Sequence, residues 1–470
     1  MKTSFVFAFS VLALLAASGC GGGGGKAAEI CDAAELTEAL GKAEPGDVVK
    51  LGSCRIEGTF TVPAGVTLEG AGLGASIIAG EGDQPVLKVV TGAEPVRLAG
   101  VSIESNTPAG ILVKGGGEAA IERVGVKATR GIGIGAEELR SLTLSEVALE
   151  GPVNADNANS FMPDVTAQDT ATHGLVLVRV ESASISNVTA SGFAAFGALL
   201  VESTTTWQGG GVSGNMGTGL MVHAGSATLE GLEMCRTLQG MRFIPSYGGV
   251  FVAGASVETT GVEVCEGDGY GLLHDRVSAR HVDLVARDNG DAAVWAQKCP
   301  SFELSGEGAQ ISGNRFAGVV LVETENAMVS GASIDANEIT VRVFDETGAV
   351  EVGDGVQVVR PKGPVILENL SFSNNERAGI LLDLGGGSMD DVTLDAVTVD
   401  GTGDQLGALA QDGTIPEGWD LGVTRTGATV VNDAALVGSL PIVGVVSTNS
   451  VPDASGISRD GVGAIIGDTG

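Results

Sequence analysis

The chain has 470 residues, of which 74 are glycine, 43% are hydrophobic and only 4% are aromatic. A globular core takes much of its volume from aromatic rings, whereas a narrow tube of Val, Ile, Leu and Ala has little room for them; glycine without a strict triplet excludes collagen, and regular apolar triplets argue against disorder. With 26 basic and 58 acidic side chains the net charge is −32, a field that repels nucleic acid and anionic headgroups and weighs against a polyuronate ligand unless calcium or a local basic groove intervenes.

Met1-Lys2 leads into an apolar run over 5–17, followed by Ala17-Ser18-Gly19-Cys20 and glycines at 21–25. The run is too short to span a bilayer and has the layout of a secretory signal. Small residues directly before a cysteine resemble the lipobox of bacterial lipoproteins, with alanine where that family most often has leucine. The resemblance implies that Cys20 is the acylated first residue of the mature chain. It also implies an outer-membrane address, because glycine and not aspartate follows. Several acyl chains make a stable anchor, with the glycines as a tether. Residues 1–25 are therefore signal and tether, apart from the body.

Behind Asp32 as N-cap, Ala33, Leu36, Ala39 and Leu40 fall on one helical face over 33–43, and Pro45-Gly46 ends the helix. Cys31 and Cys54 bracket this helix and are placed to pin it. Short alternating strands follow over 47–51, 58–62, 65–70 and 76–78. Then a phrase recurs: asparagine, three variable residues, glycine, three apolar residues. It starts at Asn106, Asn215, Asn314 and Asn375, with looser copies from Gly267 and Asn289. A repeating unit cannot bury its apolar side alone and must stack on its neighbours, which predicts a solenoid. Gly267 to Asn289 is 22 positions, Asn289 to Asn314 is 25 and Val188 to Val212 is 24. One turn per 22–25 residues, at about 4.8 Å per turn, predicts a rod of roughly 70–90 Å. The asparagines are expected in tight turns, where they tolerate left-handed backbone.

Leu232-Glu233-Met234-Cys235 and Val262-Glu263-Val264-Cys265 share one pattern, which puts the cysteines on adjacent turns within bridging distance. Cys299 is left over. No CxxC or His/Cys cluster suggests a metal, and no cofactor is indicated. Three stretches, 151–173, 236–249 and 404–420, break the rhythm and read as loops, where function tends to collect. The repeat body is expected to span 26–420, with 421–470 a terminal turn or tail.

The opening Gly46-Asp47-Val48-Val49-Lys50-Leu51, the strand Gly65-Val66-Thr67-Leu68-Glu69-Gly70 and the Asn-x-x-x-Gly phrases resemble the pectate-lyase-like superfamily, over about 29–401. The resemblance implies an all-β fold: a single-stranded right-handed parallel β-helix with a short N-terminal capping helix. It also implies lyases, hydrolases and epimerases of polysaccharides as the activities to test. The clustered aspartates and Arg-Pro-x-x-Arg of pectate lyases are absent. Asp390-Asp391 and Thr172-His173-Gly174 resemble polygalacturonase elements in reversed order, and Asp390-Asp391 reads better as a turn.

The most site-like cluster is Tyr270, His274 and Arg276, with Asp275, Arg280 and His281 beside them. It resembles the Tyr-Gly-Phe-x-Pro-His segment of alginate epimerases, one residue short and without the proline and phenylalanine. Alternation places Tyr270, Leu272 and His274 on one face, so an inward Leu272 would bring both rings inside. Asp156, Asp164, Asp169 and His173 share one loop and leave room for calcium, without EF-hand or RTX spacing. Arg236, Arg242 and Tyr247 share another. Trp207, Trp295 and Trp419 are the candidates for flat sugar platforms, Trp419 being the best exposed. The expectation is an envelope-anchored lipoprotein serving as a binding or structural surface module, with membrane and polysaccharide as partners. The alternative is a polysaccharide lyase or epimerase with a lateral groove, and convergence of the polar candidates in one exposed groove separates the two.

Overall fold

Asp32 accepts the backbone N–H groups of Ala34 and Glu35 at 2.8 and 3.1 Å, which starts the helix Ala33–Lys42 by satisfying donors that no helical carbonyl can reach. The computed structural model describes residues 29–431 apart from 154–170, 239–245, 253, 339, 345–347, 386–390, 401–405, 412–422 and 427–428. The buried Leu36 and Leu40 of the helix join the same apolar cluster as Phe60 and Val62 of the first rungs. A disulfide between Cys31 and Cys54, with Cα atoms 5.7 Å apart, ties the helix to the stack. The helix thus covers the tube's first opening, a sheet end that would otherwise be a template for pairing.

Each turn then lays down three short strands on three parallel sheets. Sheet I carries Thr218–His223, Tyr247–Val252, Tyr270–Asp275, Val294–Gln297 and Ala317–Val322. Sheet II carries Ser256–Thr260, Ser278–Val282 and Ser301–Ser305. Sheet III carries Glu233–Cys235, Glu263–Cys265, Val285–Arg287 and Gln310–Ser312. The chain is a right-handed parallel β-helix of about 13 turns. At about 4.8 Å per turn the column is about 60 Å long, shorter than expected, because the loops and inserts take up residues without adding turns. Pairing continues to Thr429–Val431 on sheet I.

Along each strand, alternate side chains point into the tube and form one continuous apolar cluster from Leu36 to Val399. Corners between sheets are turned by left-handed residues, but these are not the phrase asparagines. They stand one position earlier: Asp288 (φ 56°), Gly313 (φ 66°), Ala336 (φ 52°) and Asn374 (φ 52°). The asparagine that follows each bend is buried and bonds through its amide. Asn289 Nδ2 donates to Asn314 Oδ1 at 2.9 Å, Asn314 Nδ2 to Asn337 Oδ1 at 3.2 Å, and Asn337 Nδ2 to Asn375 Oδ1. Asn106 is not in this ladder: it is exposed, and the buried Thr107 beside it bonds to Ser105 and to the Ala109 carbonyl. Val188 pairs with Gly210, not Val212, which faces Ala190.

The phrase glycine has a separate cause. A Cβ on Gly219 would lie 2.5 Å from the Gly248 carbonyl oxygen, and one on Gly248 would lie 2.7 Å from that of Gly271. Successive rungs touch backbone to backbone at this column, so a side chain there has no space.

Candidate functional site

The cluster at 270–281 is divided among four environments. Tyr270 pairs in register with Tyr247, and Leu272 with Gly249, while Gly271 sits against the next rung's carbonyl, 2.4 Å from where its Cβ would be. The alternation slips at this glycine. Leu272 points inward as one branch of the reading required, but Tyr270 turns outward and only His274 enters the tube. His274 is fully buried between Phe251 and Phe302, with ring centroids at 5.0 and 5.5 Å. Its Nε2 lies 2.9 Å from Nε2 of His281, an inward residue of sheet II, whose Nδ1 lies 2.7 Å from the Thr259 hydroxyl. Burial lowers both basicities: His281 falls to about 3, and His274 drops well below its ordinary value through burial and then through His281. A neutral imidazole pair sealed among phenyl rings holds the core together and cannot reach a sugar.

On the outer side of sheet I, Tyr270 is half-buried, stacked on Tyr247 at 5.6 Å and edge-on to Trp295 at 5.7 Å. Tyr247 is fully buried, which raises its phenol pKa. Asp275 is buried here too: Arg276 donates to its Oδ2 at 2.8 Å and Gln297 Nε2 to its Oδ1 at 3.1 Å. Trp295 Nε1 in turn donates to Gln297 Oε1 at 3.0 Å. Arg276 is a left-handed corner residue whose side chain is 55% exposed. These groups satisfy one another in a chain of hydrogen bonds that holds Asp275 in place.

His173 is buried against Phe196, and burial lowers its pKa to about 4. Arg236 is an exposed corner residue. Trp207 and Trp295 are fully buried, so neither offers a sugar platform. Trp207, on the sheet II ladder, fills the tube, and Trp295 packs on the outer side of sheet I. Cys20, Asp156, Asp164, Asp169, Arg242, Asp390 and Trp419 lie outside the described residues, and Asp391 is exposed.

Cys235 and Cys265 face each other in register on sheet III and are bridged, with Cα atoms 4.4 Å apart. Cys299 is a buried free thiol whose pKa burial raises to about 12, so it stays protonated and inert. Among the described residues, the one group spaced to hold a metal is Cys235, Glu263 and Cys265. Its sulfurs are spent in the bridge, so these residues do not suit an ion.

Arg280, like Arg276, reaches open surface, and it alone of the two lines a groove. It lies on the outer side of sheet II in a shallow groove of about 380 Å³. One row of the groove is Glu258, Arg280, Glu303, Met328 and Ile366, each in register with the next rung. Beside it runs a row of hydroxyls, Ser256, Ser278 and Ser301. Arg280 Nε donates to Glu303 Oε1 at 3.1 Å. The five rungs extend about 19 Å along the axis. The groove passes from a hydrogen-bonding half to an apolar half at Met328, Pro364 and Ile366. Reading the sequence alone missed it, because its residues come from rungs up to 38 positions apart and share no motif; the alternating Ser-x-Glu, Ser-x-Arg and Ser-x-Glu at 256, 278 and 301 were its one trace.

No family model and no curated relative matches the chain. Among solved structures it is similar to the A-module of the Azotobacter vinelandii mannuronan C-5 epimerase AlgE4, with 16% identity, 84% of this chain and 94% of that chain covered, and a TM-score of 0.38. It is also similar to the periplasmic alginate epimerase AlgG, with 11% identity over 85% of this chain and 83% of that one and a TM-score of 0.29. A third similar structure is the catalytic unit of a GH87 α-1,3-glucanase from Streptomyces thermodiastaticus, with 11% identity, 87% and 71% covered, and a TM-score of 0.34. At these identities and scores the likeness carries no argument about what this chain does.

Proposed function

We propose that the protein is an envelope-anchored surface module that binds a neutral polysaccharide along the groove of sheet II. The groove itself is the observation that supports this reading. A linear glycan laid along the axis would meet the hydroxyls of Ser256, Ser278 and Ser301, the carboxylates of Glu258 and Glu303 and the Arg280 guanidinium, and apolar carbon on Met328 and Ile366. Sugars present both hydroxyl edges and C–H faces, so a groove with both kinds of lining suits them. Two carboxylates in the groove and the net charge of −32 disfavour a polyuronate. The polar residues first singled out as a reaction centre are split between core, covered face and corner. That split removes the argument that led toward a lyase or epimerase at 270–276.

The test is titration of the protein with a panel of neutral and uronate polysaccharides. Ser278→Trp fills the hydrogen-bonding half of the groove without touching the core. It is expected to weaken binding of the neutral ligand at least tenfold while circular dichroism stays unchanged. Equal binding by S278W would remove the groove from the reading. Accumulation of shortened, unsaturated or epimerised glycan would replace the binding module with an enzyme.

A further inference from the structure

Asn215, Thr237, Gly267 and Asn289 stand one above another at the bend between sheets III and I, and the column continues through Asn314 and Asn337 to Asn375. The backbone fixes this register. Leu238 N–H donates to the Asn215 carbonyl, Asp268 N–H to that of Thr237, and Gly290 N–H to that of Gly267. From Asn289 onward each joint is fastened by one buried amide bonded to the next. Gly267 offers Asn289 Oδ1 only its backbone N–H, at 3.4 Å. Between Thr237 and Gly267 neither residue has an amide side chain, and among the described residues of the column this is the one joint without one.

It is also the joint that a disulfide crosses. Cys235 and Cys265 end their sheet III strands, two positions before Thr237 and Gly267. In the same row on the following rungs stand Arg287, Ser312, Asp335 and Ser373, which form no covalent tie. The bend at this joint also carries extra chain: ten positions separate Thr237 from Tyr247, against three from Gly267 to Tyr270. A longer connection holds its two ends together less firmly. The bend at Asn337 carries extra chain too, and there amide bonds fasten it to the rungs on both sides.

We propose that the Cys235–Cys265 bridge takes the place of the missing amide pair and makes this one bend releasable by reduction. A dithiol breaks the S–S bond, passes two electrons and two protons to the sulfurs, and becomes a disulfide itself. The cysteines precede the exposed corner residues Arg236 and Glu266, where such a reagent reaches them. The bridge closes a loop of 30 positions, so cutting it returns freedom to the chain between the two rungs. The rungs from Asn289 onward keep their amide bonds, which confines the opening to one level of the column.

Amide exchange of the folded full-length protein, read by mass spectrometry before and after dithiothreitol, tests this. Reduction is expected to speed exchange at least tenfold in Glu233–Cys235, Tyr247–Val252 and Glu263–Cys265, and to leave Val294–Gln297 and Ala317–Val322 unchanged. Cys235→Ser with Cys265→Ser, which keeps the Cys31–Cys54 bridge, should give the same pattern without reductant. Adding Thr237→Asn and Gly267→Asn to that variant supplies the amide pair that Asn289 and Asn314 already form, and should restore slow exchange. Unchanged exchange after reduction, a rise spread evenly along the column, or an asparagine pair that restores nothing would each overturn the proposal.

Discussion

His274 and His281 meet nitrogen to nitrogen at 2.9 Å in the middle of the tube, and a proton added there is a charge fully buried among apolar side chains. In the unfolded chain both rings titrate near 6.5; in the fold His281 titrates near 3 and His173 near 4. The unfolded chain therefore binds more protons below pH 6.5, and stability falls as pH drops from about 6.5 toward 4. The loss amounts to about 1.4 kcal/mol per pH unit for each buried histidine. Denaturant melts at pH 7 and pH 5 should separate by several kcal/mol, and His281→Leu should flatten that dependence while lowering stability at pH 7. A pH slope unchanged by H281L would show that the pair does not govern it. Sequence alternation placed His274 correctly and Tyr270 wrongly. The cause is Gly271, where backbone stacks on backbone and the two-residue rhythm slips. The glycine was visible in the repeated phrase, but its contact with the next rung was not.

At the level of the rung, the asparagine ladder binds turns that have no sequence contact. Asn314 sits at its centre, bonded through its amide to Asn289, Asn337 and the Ala286 carbonyl. Asn314→Leu keeps the volume and strands buried partners on both sides, which should cost about 2–4 kcal/mol. Hydrogen exchange should rise first in Val294–Gln297 and Ala317–Val322, and exchange that rises evenly along the rod would refute the ladder's local role. The phrase revealed the rungs and their spacing because each copy must repeat the same contact. Asn337 escaped notice because an inserted hairpin separates it from Gly355, although it stands 23 positions after Asn314. Asn106 fits the spelling of the phrase, but it is exposed and Thr107 is the buried residue there.

The whole molecule is a column in which each turn packs chiefly on the turns above and below, so its stability is approximately a sum over neighbours. Architecture of this kind is legible from sequence because it is written many times over. The groove of sheet II is not, because it is assembled once, from single residues on five rungs. The anchor proposed at Cys20 belongs to this scale as well. Labelling with radioactive palmitate should mark the protein, and Cys20→Ser should lose the label and move it from membranes to the soluble fraction; a labelled or membrane-bound C20S protein would end the proposal.

The hairpin Thr340–Val352 enters between Asn337 and Asp354, yet Asn337 keeps its bonds to Asn314 and Asn375, and Ala317 still pairs with Asp354. The amide clamp closes the bend beneath the extra chain, so register survives the detour. A foreign peptide spliced in at this bend would be held out sideways at a chosen height, like a sign fixed to a numbered storey of a tower.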